Sequence, residues 1–198
     1  MNLELRMFGL VNYQFTGMQK GIQFSHALQE YNNSIIKLLM EGKHLDDNNI
    51  LEEINYFKRW SFDNKTVIVL NGGTTNTRRE NDIYVGSLNN HRVTLNSLGI
   101  NNFEFYETDI GDQLTAIVFI LDERVFLRKK YPDFKIYLCN LHKDIFKQNI
   151  LLNEQDLRDM FFDKEFYYDW VKSIGSGNYI LGLKNMKIRD FINRFDLA

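Results

Sequence analysis

A chain of 198 residues, 44% hydrophobic and 25% charged, is long enough to bury one sizeable core, roughly 70% of its unfolded surface at this length. Its 14% aromatic content excludes extended disorder, and a net charge of -2 excludes a global pull toward nucleic acid, so any polyanion site must be a local patch. The single cysteine, Cys139, excludes an internal disulfide; with no Cys/His cluster at ligand spacing and no nucleotide-cofactor signature, neither a metal site nor a cofactor is expected.

The first strand is expected over Leu5–Asn12, apolar and followed by "TG" at 16–17. A helix then starts near Met18: Phe24, Ala27, Leu28, Tyr31, Ile35, Leu38 and Leu39 recur at three- and four-residue intervals, and Gly42 ends it. Ile50, Leu51, Ile54 and Phe57 repeat the pattern over Asn48–Trp60, behind an Asp/Asn cluster suited to a helix start. "KTVIVLN", 65–71, is a continuous β-branched run and reads as a buried strand. The loop "GGTTNTRREN" leads to a helix predicted from Asp82 to Leu98, capped by Gly99. "NFEFYETD", 102–109, alternates as a strand; "QLTAIVFIL", 113–121, reads as a buried one, with a connection so short that the pair must form a hairpin. A short helix over 123–131, a strand over "FKIYLC" and helices near 154–173 and 185–196 follow, with "GSGNYILG", 175–182, as a turn and a small apolar run. "TAIVFIL" is the longest apolar run, far below the ~20 residues of a membrane helix. The start "MNLELRMF" carries no basic-then-apolar leader, so no membrane partner is expected and the default location is the cytoplasm.

Two stretches carry polar chemistry. In "MQKGIQFSHALQEY", 18–31, with Phe24 set to zero, Gln19, Gln23, His26 and Glu30 fall between about 200° and 260°, opposite the apolar stripe. They are therefore expected either as solvent decoration or as a pocket wall. In "GGTTNTRREN" the backbone of Gly72 and Gly73, the side chains of Thr74, Thr75 and Asn76, and the charges of Arg78 and Arg79 would suit a phosphate cradle. The loop follows a sheet strand, where open α/β sheets bind ligands, but it lacks the lysine and Ser/Thr of a Walker motif. A polar loop with turns and a helix cap is the alternative.

The chain resembles the type 2 (archaeal and eukaryotic) peptidyl-tRNA hydrolases, whose first strand runs into Gly-Lys-x-x-Ala-Gln-x-x-His-Ala. "GIQFSHA" supplies Gln23, His26 and Ala27; Trp60 precedes the lysine-led strand; a helix ends in Leu-Gly-Ile at 98–100; and "TDIGDQLTAIVF" supplies Asp109, Gly111 and Thr115. The likeness spans about residues 5–131. Counted back from His26, the family's lysine falls at Gln19, and Lys20 is displaced by one residue; the segment between Asp109 and Thr115 is shorter than the family's, and the loop after "KTVIVL" is longer.

The order strand, two helices, strand, helix, strand, strand reads as an α/β layer with a mixed sheet, which the resemblance makes a four-stranded domain with flanking helices over 1–132; an α-rich extension over 133–198 is expected to pack on it. It implies hydrolysis of an ester or phosphodiester in a nucleotide-containing substrate, with a nucleotide or a tRNA 3′ end as partner. Asp109 would orient or deprotonate water, and Lys20 would stabilise the developing charge. Thr115 would donate to the carbonyl or ribose, and Gln23 and His26 would bind the nucleotide. The alternative is a non-catalytic domain of the same fold that sequesters a signalling nucleotide in the 72–79 loop. Arg128, Lys129, Lys130, Lys184, Lys187, Arg189 and Arg194 are interleaved with acids and read better as solvated helix faces than as an RNA site; "FFDKEFYYDW", 161–170, reads as packing. The sequence leaves open whether the chain forms a homo-oligomer.

Overall fold

The computed structural model describes residues 3–42, 47–76, 78–80, 83–141 and 164–198. They divide into two compact units, one running to Asp122 and including Asn193–Ala198, the other Glu123–Ile192. The division lies at Asp122 rather than near residue 132, and the last residues return to the first unit.

The first unit is an α/β layer. Strands β1 (Leu5–Val11), β2 (Thr66–Asn71), β5 (Asn102–Glu107) and β6 (Gln113–Asp122) form one mixed sheet in the order β2-β1-β6-β5. β1 is parallel to β2, and β6 is antiparallel to both β1 and β5. Helix α1 (Gly17–Met40) buries Phe24, Ala27, Tyr31 and Ile35 on this sheet, and α2 (Asn48–Arg59) adds Ile54 to the same core, which Trp60 closes. The close approach of α1 depends on Gly9 at the middle of β1: a Cβ there would stand 2.3 Å from the Phe24 ring. β2 would be an open edge, but the chain's last residues cover it. Leu197 bridges Leu70 in antiparallel sense, Asn71 N donates to Asp196 O at 2.9 Å and Ala198 N to Val69 O at 3.0 Å.

The segment expected to be loop then helix is more structured. Strands β3 (Arg78–Glu80) and β4 (Ile83–Val85) pair as a small hairpin, and the helix, α3, begins only at Ser87 and runs to Ser97. The reason is local. Gly86 is extended, and its N–H donates to Asn89 Oδ1 at 2.8 Å, a helix-start contact that fixes the first turn beyond the hairpin. Gly99, with φ +62, ends the helix as anticipated.

The second unit contains α4 (Glu123–Phe126), α5 (Phe134–Leu141), α6 (Lys164–Ile174) and α7 (Tyr179–Ile192) among the described residues. "FKIYLC" is helix, not strand. Phe134, Tyr137 and Leu138 face inward at helical spacing while Ile136 is half exposed, whereas a strand would have put 134, 136 and 138 on one face. In "GSGNYILG" only the first half is a turn; Asn178 Oδ1 accepts from Leu181 N at 3.0 Å and starts α7 at Tyr179. The expected helix near 154–173 is described from Lys164 on; residues 154–163, and the first residues of the aromatic stretch, lie outside the described residues. Trp170 packs with Tyr131, Val171 and Ile174, and its indole donates to Pro132 O at 2.9 Å. Arg189 is no surface cation. It is 2% exposed, and its guanidinium donates to Arg124 O, Tyr131 O and Asp133, so that it ties α7 to the segment after α4. Among the described residues no helix is long and apolar enough to cross a membrane, and no three His, Cys, Asp or Glu side chains are grouped to hold a metal.

Candidate functional site

Helix α1 starts with a capping box: Thr16 Oγ1 accepts from Gln19 N at 3.4 Å, and Gln19 Oε1 accepts from Thr16 N at 3.0 Å. The position that the resemblance would give to a lysine is thus taken by a helix cap. Lys20 follows it on the first turn, partly exposed, and its ammonium has no hydrogen-bond or ion-pair partner among the described residues.

From there α1 runs antiparallel to β5 through three matched contacts. Tyr31 stacks on Phe103 at 3.9 Å between ring centroids, His26 on Phe105 at 4.6 Å, and Gln23 Nε2 donates to Glu107 Oε2 at 2.8 Å. Period two on β5 puts residues 103, 105 and 107 on the face toward the helix, and steps of three to five residues on α1 meet them. His26 is exposed beside its stacking partner, as are Gln19 and Glu30. Gln23 is not on the exposed side with them but 7% exposed, at the flank of the stripe where β5 and β6 can meet its amide.

Gln23 has both ends engaged. Because Glu107 takes the NH₂ end, Oε1 must face the other way, and there it accepts from Thr115 Oγ1 at 2.5 Å. Thr115 is fully buried, next to the irregularity at which Phe105 pairs with Ala116 and Tyr106 with Leu114. Its hydroxyl faces the protein and is spent on Gln23, with the Phe105 carbonyl 3.3 Å away. Glu107, partly exposed, ends this chain: Oε2 is held by Gln23, and Oε1 has no partner among the described residues. Asp109 sits two residues on, in the single turn Thr108–Ile110 that joins β5 to β6, exposed and without a side-chain partner among the described residues.

A second polar chain lies at the same end of the sheet. Asn12, 2% exposed at the end of β1, donates from Nδ2 to Thr75 Oγ1 at 3.1 Å. Thr75 Oγ1 donates to Gln113 Oε1 at 3.2 Å, and Gln113 Nε2 donates to Ile110 O at 2.9 Å. Thr75 is 0% exposed and so cannot touch a ligand. Most other donors of the loop are also spent. Gly72 N donates to Val11 O, Gly73 N to Asn71 Oδ1, Thr74 N to Ser87 Oγ, and Asn76 N to Thr74 Oγ1, whose hydroxyl in turn donates to Asn76 Oδ1. Gly73 has φ +83, and a Cβ on it would collide with Ser87 Oγ at 2.0 Å. Segment 72–76 is therefore a closed turn rather than an open cradle. The backbones of Arg78 and Arg79 pair with Val85 and Tyr84 in the β3–β4 hairpin, and the expectation that their side chains meet a phosphate falls outside the described side chains.

At the other end of the unit a cavity of about 480 Å³ is lined by Ile50, Glu53, Asn96, Asn101 and Asn102. Glu53 accepts there from the Tyr31 hydroxyl and from Asn101 Nδ2, and burial together with Glu53 pushes the Tyr31 phenol far above its ordinary range. On the far face of β5, burial and the Glu104 carboxylate push Tyr106 up to about 12.

Sequence reasoning passed over Glu107, Asn12 and Gln113. Glu107 had a legible signal: in "NFEFYE" it shares its face with two phenylalanines, so an acid there needs a partner. Comparison with protein-family models, curated proteins and solved structures gives no match to this chain.

Proposed function

We propose that this chain hydrolyses an ester or phosphodiester bond of a nucleotide-containing substrate, such as a tRNA 3′ end, beside the joint between the start of α1 and the β5–β6 turn. The observation that carries the reading is the buried chain Glu107–Gln23–Thr115, which locks three elements together and ends in a carboxylate with one oxygen unspent. Lys20 lies one helical turn before Gln23, and Asp109 lies two residues after Glu107, so a cation and two carboxylates border this locked joint. A carboxylate that accepts a proton from water and an ammonium that meets the developing oxyanion are the groups such a hydrolysis needs. Gln23 and Thr115 hold Glu107 in position and touch no substrate; His26 stacks on Phe105 through one ring face and is exposed beside them.

The test is one incubation of the full chain with a peptidyl-tRNA, and one with a cyclic nucleotide, each read for product and for intact recovered ligand. Product from either, reduced about 10²-fold in Asp109→Asn and in Lys20→Met, is the expected result. Stoichiometric recovery of unaltered ligand after denaturation replaces hydrolysis by sequestration.

A further inference from the structure

A cavity of about 340 Å³ opens on the first unit beside the closed loop, lined by Tyr13, Asn71, Gly73, His91, Arg194 and Asp196. Its floor is the carboxyl end of β1 and β2, where open α/β sheets bind ligands. One wall is the chain's own tail, fixed on β2 by the Asn71–Asp196 and Val69–Ala198 backbone bonds. The adjoining wall is α3, whose His91 meets the Phe195 ring edge-on at 4.8 Å.

The lining offers opposite chemistries side by side. Arg194 and Asp196 are both exposed, and neither side chain has a hydrogen-bond or ion-pair partner among the described residues, each other included. Asn71 Oδ1 is occupied by Gly73 N at 3.2 Å, which leaves the Nδ2 end to donate elsewhere. The Tyr13 ring stands 51% exposed at the rim, an apolar face with a hydroxyl. Burial and the nearby Arg194 hold His91 below the ordinary imidazole value.

Resting on the nucleotide-directed reading above, we propose that this cavity is a nucleoside-monophosphate subsite: Arg194 meets the phosphate, Asp196 accepts from the ribose hydroxyls, and Tyr13 stacks on the base. A guanidinium suits a phosphate, a carboxylate suits a diol, and an exposed aromatic suits a base of any sequence. The volume lies within the range of small-molecule sites.

The probes are AMP, adenosine and inorganic phosphate, titrated calorimetrically into the full chain. AMP binds, and Arg194→Gln weakens it about 10-fold or more while leaving adenosine unchanged. Asp196→Asn weakens AMP and adenosine by the same factor. AMP affinity equal in the wild type and both variants, or no AMP binding at about 10 mM, overturns the proposal. Phosphate bound as tightly as AMP also overturns it, since the nucleoside then contributes nothing. These titrations need no turnover. Loss of Arg194-dependent binding therefore leaves hydrolysis at Asp109 standing, and absence of hydrolysis leaves the subsite standing.

Discussion

The two polar chains at the carboxyl end of the sheet are built from similar side chains but finish differently. Asn12–Thr75–Gln113 is neutral throughout and closes on the Ile110 carbonyl, so every partner is protein and it acts as a staple between β1, the loop and β6. Thr115–Gln23–Glu107 begins as deep in the core but finishes on a partly exposed carboxylate. Buried polar groups that are all satisfied specify a fold; a satisfied chain ending in a charge at the surface also aims that charge. The difference separates scaffolding from candidate chemistry among residues that look alike in sequence.

Breaking the Thr115–Gln23–Glu107 chain should cost most. Gln23→Leu keeps the volume but strips the Glu107 and Thr115 side chains of their shared partner, and a loss of about 1–3 kcal/mol in denaturant unfolding is expected. Thr115 has a fallback in the Phe105 carbonyl, 3.3 Å from its hydroxyl, which keeps the effect from the top of that range. Thr115→Val added to Gln23→Leu should cost less than the sum of the two single changes, because both ends of one hydrogen bond then become apolar. Additive losses would show that the two side chains are not coupled.

The staple should break more gently, through its turn. Gly73→Ala places a methyl group against Ser87 Oγ at a φ of +83, and about 1–2 kcal/mol of stability should go, with no change in the pH dependence of any activity. Unchanged stability in this variant would show that the turn is not closed on Ser87.

A smaller effect is expected at His91, which faces Arg194, Asp196 and Tyr13 around the tail cavity. Its folded pKa lies below the unfolded value of about 6.5, so the unfolded state binds the extra proton. The stabilisation this represents is complete above about pH 6.5 and is lost as pH falls through the folded value. Wild type should therefore lose more unfolding midpoint than His91→Gln between about pH 7 and pH 5, the carboxylate titrations being common to both.

Much of this fold was legible because periodicity reports burial directly. The stripe from Phe24 to Ile35 and the tight link between β5 and β6 each give the observed element within a few residues, whereas the run "TVIVLN" gives the strand but not its burial: β2 lies at the sheet edge, with Leu70 buried and Val67 39% exposed. What escaped depends on contacts far apart in the chain. Gln23 reads as solvent decoration or a pocket wall on a helical wheel, since the wheel does not know that Glu107 and Thr115, 84 and 92 residues away, would take both ends of its amide. The hydroxyls of Thr75 and Thr115 suit a ligand by residue type, yet a buried hydroxyl serves the core just as well. The Gly-Thr loop had the composition of a cradle; the Ser87 hydroxyl and the Val11 carbonyl, which spend its amides, lie in other elements. Strand β3 reads as loop and β4 as helix because strands of three residues each are too short for alternation to appear.

The least effect on stability, and the sharpest use of the comparison, is expected at the exposed groups that border the locked joint. Lys20 and Asp109 have no side-chain partners among the described residues, so Lys20→Met and Asp109→Asn should each shift unfolding by no more than about 0.5 kcal/mol. Gln23→Leu, by contrast, is expected to lower stability and, by loosening Glu107, turnover as well. Three variants measured by denaturant unfolding and by product release then separate aim from support. The exposed pair should lose turnover without stability, and Gln23→Leu should lose both. A stability loss above about 1 kcal/mol in Asp109→Asn would mean that the turn carboxylate is structural, and the chemistry would then have to rest on Glu107 alone.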